Sequence, residues 1–173
     1  SADMVQSVEL LLDERGEAEI RRQWAVLAEA GIGSVRGAAH RPHITVAVAR
    51  EIWPRIDHQL ERMPFTPLPI RLGGVLIFGA RRPILVRAVV VTEELLALQR
   101  RVAEVVAPCP GIPANLAPDA WTPHVTLARR VPPERLGDAV RAVTAESDYP
   151  AVAVGIRRWD GDTRTERIVA GGR

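Results

Sequence analysis

Two short segments constrain this chain more than anything else in it: Pro42-His43-Ile44-Thr45-Val46 and Pro123-His124-Val125-Thr126-Leu127, which lie 81 residues apart. At the same offset Ala47 falls on Ala128, Val8 on Val89, Pro69 on Pro150 and Gly74 on Gly155. Residues 5–12, 41–48, 70–78, 84–91, 121–128, 151–159 and 166–170 alternate or run apolar as strands do. Residues 17–30, 53–63, 93–107 and 133–145 carry the spacing of amphipathic helices, with Ile20, Trp24, Leu27 and Ala28 on one stripe. In the 81-residue register, strand falls on strand and helix on helix without a gap. The sequence therefore predicts one domain over residues 4–173, made of pseudo-repeats 5–79 and 83–159 with a closing strand at 166–170.

Seven strand segments with hairpin turns such as Gly79–Pro83, interleaved with helices, argue for an α+β fold rather than a doubly wound parallel sheet. A length of 173 residues suffices for one sizeable core, and 47% apolar with 25% charged residues excludes a disordered chain. The longest apolar runs fall far short of the roughly 20 residues a membrane-spanning helix needs. No basic segment followed by an apolar stretch and a small-residue cleavage site is present at the start, so no secretory leader is expected. The single cysteine, Cys109, cannot form an internal disulfide or a thiolate-rich zinc site, which fits a cytoplasmic protein. All 23 basic residues are arginine and the formal charge is only +2, so the molecule as a whole is not a polyanion binder. A local arginine-lined phosphate site is compatible with that balance, because the planar guanidinium matches phosphate oxygens.

On a strand, residues i and i+2 share a face. His43 and Thr45 therefore point one way while Ile44 and Val46 point into a core, and His124 with Thr126 repeats the arrangement against Val125 and Leu127. A strand with an apolar back and an imidazole-plus-hydroxyl front presents both groups to a cleft. With the halves related by a pseudo-twofold, the two fronts face each other across one groove.

Paired H-x-T strands about 80 residues apart in a duplicated α+β chain resemble the two-histidine (2H) phosphoesterase superfamily, within it most nearly the bacterial 2′-5′ RNA ligase-like proteins. The resemblance covers essentially the whole chain. It implies two pseudo-symmetric lobes, each an antiparallel sheet with outer helices, around a central groove. It also implies metal-free hydrolysis of a cyclic phosphodiester, the 2′,3′-cyclic phosphate of an RNA end or of a small nucleotide, with no cofactor. His43 and His124 would be the acid/base pair, and Thr45 and Thr126 would hold phosphate oxygens. The segment after His43, ITVAVAREIW, lacks the aromatic and glycine that many bacterial members carry there.

The chemistry suits these residues. Opening a cyclic phosphodiester requires a base for the attacking water and an acid for the leaving ribose oxygen. Imidazole serves as either near neutrality, and two imidazoles in one groove favour a mixed protonation state. The symmetric motifs leave open which histidine plays which part. Arg130 shares the parity of His124 and Thr126 and is a candidate phosphate clamp. Arg129, Arg50 and Arg41 are weaker candidates of the same kind. Trp121 and Phe78 are candidates to stack on a base, as is Trp53, although packing is the commoner use of such rings. His40 reads as a turn residue, His58 as an exposed helical one. No H-x-x-x-H or C-x-x-C pattern offers a metal site, and no glycine-rich nucleotide loop supports ATP-dependent ligation. A groove formed within one chain needs no second copy, so a monomer is expected. The competing reading is a module that binds RNA or a nucleotide in the same groove without turning it over.

Overall fold

In the computed structural model, the described residues are 5–33, 40–144 and 148–173. Met4 and the expected end of the last helix at residue 145 lie outside them. Among these residues seven strands are present: β1 (Gln6–Leu12), β2 (His43–Ala49), β3 (Leu68–Phe78), β4 (Ile84–Val89), β5 (His124–Ala128), β6 (Tyr149–Asp160) and β7 (Thr165–Gly171). The four α-helices are α1 (Glu14–Glu29), α2 (Pro54–Arg62), α3 (Glu93–Val106) and α4 (Leu136–Val143). All strand pairings are antiparallel, so the α+β expectation holds.

Local chemistry sets the element ends. Asp13 caps α1 by accepting from the Gly16 amide at 3.3 Å, and the same oxygen accepts the Val152 amide at 3.0 Å, fixing the helix start to β6. Thr92 caps α3 through the Leu95 amide at 3.1 Å. Pro54 opens α2 at a position where its missing N–H costs nothing. The Pro132-Pro133 pair starts a single 3₁₀ turn, Pro133–Arg135, and the α-helix proper begins only at Leu136.

The strands run in the order β2-β1-β6-β3-β4-β5, with β7 also against β6. In the 81-residue register β2 falls on β5, α2 on α4 and β3 on β6. Exchange of β1, β2, β3 for β4, β5, β6 leaves the order unchanged when read from the other edge. Each half sends its third strand into the other: β6 pairs with β1, and β3 pairs with β4. Pairing of β3 with β6 joins the antiparallel sheets of the two halves into one continuous sheet.

Laid flat, the two terminal strands of six would stand about 24 Å apart, at roughly 4.8 Å per spacing. Instead β2 and β5 touch, so the sheet curls until its edges meet. Leu10, Ile44 and Ile156 form one row of paired positions in the apolar core, together with Ile20 and Leu27 of α1 and Leu95, Leu98 and Val102 of α3. The opposite row, Thr45, Glu9 and Arg157, is polar. Two hollows of about 460 and 450 Å³ lie away from both histidines, one beside Phe65 and Arg101, the other beside Arg15 and Tyr149.

Candidate active site

His43 and His124 are the first residues of β2 and β5, the two strands that meet where the sheet closes. Each ring is anchored in the same way. Nδ1 of His43 lies 2.7 Å from the carbonyl oxygen of Arg41, and Nδ1 of His124 lies 2.7 Å from that of Thr122. A carbonyl can only accept, so Nδ1 carries a proton in both rings and Nε2 is the nitrogen left for chemistry. Both histidines and both threonines are half-buried. Neither the Thr45 nor the Thr126 hydroxyl is engaged among the described residues.

The two anchored rings differ in what surrounds them. Phe78 packs edge-on against His124, with ring centroids 4.9 Å apart and an interplanar angle of 85°. Burial pushes the His124 ring below the ordinary imidazole range; the Thr122 carbonyl opposes this, while the charges of His43 and Arg129 add to it. His43 instead has a carboxylate beside it: Nε2 is 3.4 Å from Oε2 of Glu9.

Glu9 sits in the polar row of β1, directly opposite Thr45 on β2 and Arg157 on β6. Its Oε1 accepts from Arg157 Nε at 2.9 Å and Nη2 at 2.6 Å, and its Oε2 accepts from the Ser7 hydroxyl at 2.8 Å. Arg157 also donates to Glu166 at 2.8 Å, and Arg41 donates to the other oxygen of Glu166 at 3.3 Å. Burial alone would lower the Arg157 guanidinium, but Glu9 and Glu166 hold it above its ordinary value. Burial likewise works to raise Glu166, and the hydrogen bond and charge of Arg157, with Arg41, bring it below the usual carboxylate range.

The other expected residues are placed as follows. Phe78 is at the site, against His124. Trp121 packs against the core and donates its indole N–H to the Thr45 carbonyl at 3.0 Å, so it braces β2. Trp24 of α1 makes the matching bond to the Thr126 carbonyl, also 3.0 Å. The strand parity expected to aim Arg130 into the groove does not reach it. β5 ends at Ala128 and Arg130 turns out of it in the left-handed region, φ 53°, and is exposed. Arg41 is occupied by Glu166, with Glu17 also nearby at 3.7 Å. Trp53 caps the start of α2 under the Arg55 guanidinium, 4.9 Å from its ring centre. Arg50 and His58 are exposed, and Cys109 is a buried free thiol. Among the described residues no group of three or more His, Cys, Asp or Glu side chains is arranged to hold a metal ion.

Arg81 and Arg82 occupy the β3–β4 turn, and Arg129 and Arg130 follow β5. The Val131 amide bonds the Pro83 carbonyl at 3.0 Å, which ties the two turns together. All four arginines are exposed, and among the described residues none is in an ion pair.

Sequence reasoning missed Glu9, Ser7, Arg157 and Glu166. The signal was a carboxylate inside the apolar run Val8-Glu9-Leu10-Leu11-Leu12, since an acid on a fully buried strand requires a cationic partner.

The sequence profile of the 2′-5′ RNA ligase superfamily matches residues 15–162, and the chain belongs to that family, a branch of the 2H phosphoesterases. Phosphoester chemistry is the activity class this membership supports. Two solved structures share the fold. One is described as a phosphoesterase, at 18% identity and TM-score 0.53, covering 98% of this chain and 95% of that one. The other is LigT of E. coli complexed with ATP, at 20% identity and TM-score 0.53, covering 98% of this chain and 96% of that one. No curated protein matches the chain.

Proposed function

We propose that this chain hydrolyses a 2′,3′-cyclic phosphodiester at an RNA end, or of a small nucleotide, to a phosphomonoester without a metal ion or cofactor. The observation that carries this reading is the pair of identically anchored histidines, His43 and His124, on edge strands that meet, each with Nε2 free of the backbone. Two general acid/base groups in one site, beside two unengaged threonine hydroxyls, meet the needs of this reaction.

The unequal surroundings assign the parts. His124, held below the ordinary imidazole range by burial, is neutral at pH 7 and is the base. Its Nε2 takes a proton from water as the water oxygen bonds to phosphorus. The bond from phosphorus to one ribose oxygen breaks, and His43 Nε2 delivers a proton to that oxygen. Thr45 and Thr126 donate to the non-bridging oxygens. The exposed arginines Arg81, Arg82, Arg129 and Arg130 favour a substrate with phosphates beyond the reacting one, which an RNA end has and a mononucleotide lacks. Pseudo-repeats 5–79 and 83–159 with the closing strand act as one bilobal unit. Both histidines belong to one chain, so a monomer suffices. The single, buried thiol fits the reducing cytoplasm.

The test is incubation of an oligoribonucleotide ending in a 2′,3′-cyclic phosphate, with EDTA present, read by phosphorus NMR. Ring opening is expected for the wild type, with losses of about 10²- to 10⁴-fold in His43→Ala and in His124→Ala. Activity surviving in either variant, or abolished by EDTA, overturns the mechanism. Saturable binding of the oligonucleotide with no turnover replaces it with the binding-module reading.

A further inference from the structure

The mechanism above uses two histidines and leaves unexplained a buried carboxylate on the reacting nitrogen of one of them. Glu9 is 5% exposed at its side chain, and its Oε2 is 3.4 Å from Nε2 of His43. Among the described residues no carboxylate stands in the equivalent place beside His124, whose ring meets Phe78 instead. The symmetry of the motifs is therefore broken at one position on β1.

The hydrogen-bond inventory of the cluster explains what Glu9 does. Its Oε1 is filled by two donors of Arg157. That leaves Oε2, oriented by the Ser7 hydroxyl, to face the imidazole. The His43 ring already donates through Nδ1 to the Arg41 carbonyl. A carboxylate oxygen only accepts, so the ring satisfies both neighbours when Nε2 also carries hydrogen. Arg157 makes the arrangement affordable, since an unpaired carboxylate at this depth would be strongly destabilising. At 3.4 Å the Nε2 contact is looser than the 2.6 to 2.9 Å bonds to Arg157, so the ring faces Glu9 without being locked to it.

We propose that Glu9 is a positioning residue of this site: it orients the His43 ring through its reacting nitrogen. The proposal rests on the acid/base reading given above. Among the described residues the charged groups around His43 are Glu9 from β1, Arg157 from β6, Glu166 from β7, Arg41 preceding β2, Glu17 from α1 behind Arg41, and His124 from β5. Glu9 is the anion in direct contact with the ring; the other two carboxylates are engaged by arginines.

The experiment is Glu9→Gln, examined free and in turnover. In the free protein, imidazole nitrogen-15 shifts report the surroundings of each ring nitrogen. The Nε2 resonance of His43 is expected to move when its carboxylate neighbour becomes an amide, while both nitrogens of His124 should change far less. In turnover, kcat should fall by about tenfold to a hundredfold with KM little changed, because the ring loses the contact that aims its reacting nitrogen. Glu9→Asp keeps a carboxylate and should recover part of kcat. Where Glu9→Gln fails to fold because Arg157 loses one of its two carboxylates, the Glu9→Gln/Arg157→Gln variant replaces the pair with amides and gives the same readings. His43 shifts unchanged in the folded variant, or an unchanged kcat, overturn the proposal. Absence of turnover in the wild type would defeat the proposed reaction, yet the ring measurement would still decide whether Glu9 governs His43.

Discussion

The indole nitrogen of Trp121 stands 3.0 Å from the carbonyl oxygen of Thr45, so the second half of the chain grips the first one residue pair away from its histidine. Among the described residues β2 has a strand neighbour on one side only, and such an edge exposes backbone groups that need partners. Trp121 supplies one donor, and Gln99 of α3 supplies another to the Val46 carbonyl at 3.3 Å. On β5 the same service comes from Trp24 of α1 to Thr126. Two indoles thereby set the spacing of the two motif strands, which is the spacing of the two histidines.

Trp121→Phe removes that donor and leaves a half-buried carbonyl without it, which should cost about 1 to 2 kcal/mol in urea unfolding. Trp24→Phe should cost a similar amount. Both should also lower kcat, because β2 and β5 lose a shared constraint next to the reacting groups. Unchanged stability in both variants would mean that the edges are held together by packing alone.

The pH dependence of turnover should report the burial of His124. Its ring sits below the ordinary imidazole range, and the base must be neutral to act, so activity should persist as pH falls below 6.5 and be lost only at the lowered midpoint. Burial is the leading cause, and Phe78 covers the ring. Phe78→Ala admits water, relieves that penalty and should move the acidic limb upward toward the ordinary value. A limb that stays in place would show that another neighbour keeps the ring dry.

Salt dependence separates an RNA end from a small nucleotide. Each arginine that neutralises a phosphate of a single strand contributes a slope of roughly −0.7 in log affinity against log salt. Replacing Arg81, Arg82, Arg129 and Arg130 together with Gln should raise KM for an oligonucleotide and flatten its salt slope by about one to three. A cyclic mononucleotide should be affected much less. Equal effects on both substrates would confine the arginines to the reacting phosphate, and the single variant Arg130→Gln would show its own share.

Much of this architecture was legible in the residues. The H-x-T segments alternate against apolar partners, and the 81-residue register placed β2 on β5 and β3 on β6. The helix stripes were readable too, although Gln23 takes a buried place on α1 beside Ile20 and Leu27 while Trp24 leans to the neighbouring half. What escaped was non-local. No alternation pattern says that β6 will pair with β1 or that the third strands cross between halves. Arg130 was misplaced because parity arguments require a strand that continues, and β5 stops at Ala128. Glu9 was overlooked because its meaning depends on Arg157, 148 residues further on.

That separation bears on how the molecule is made. During synthesis β1 emerges first, and one of its edges waits until β6 has left the ribosome, nearly the whole chain later. Its seven residues, all destined for the interior, include Leu10, Leu11 and Leu12, so an apolar strand keeps one edge open until β6 follows it. Glu9, an uncompensated carboxylate in that strand until Arg157 arrives, gives it a charge that opposes premature pairing with other copies. The residue beside His43 would then also serve the chain before any site exists.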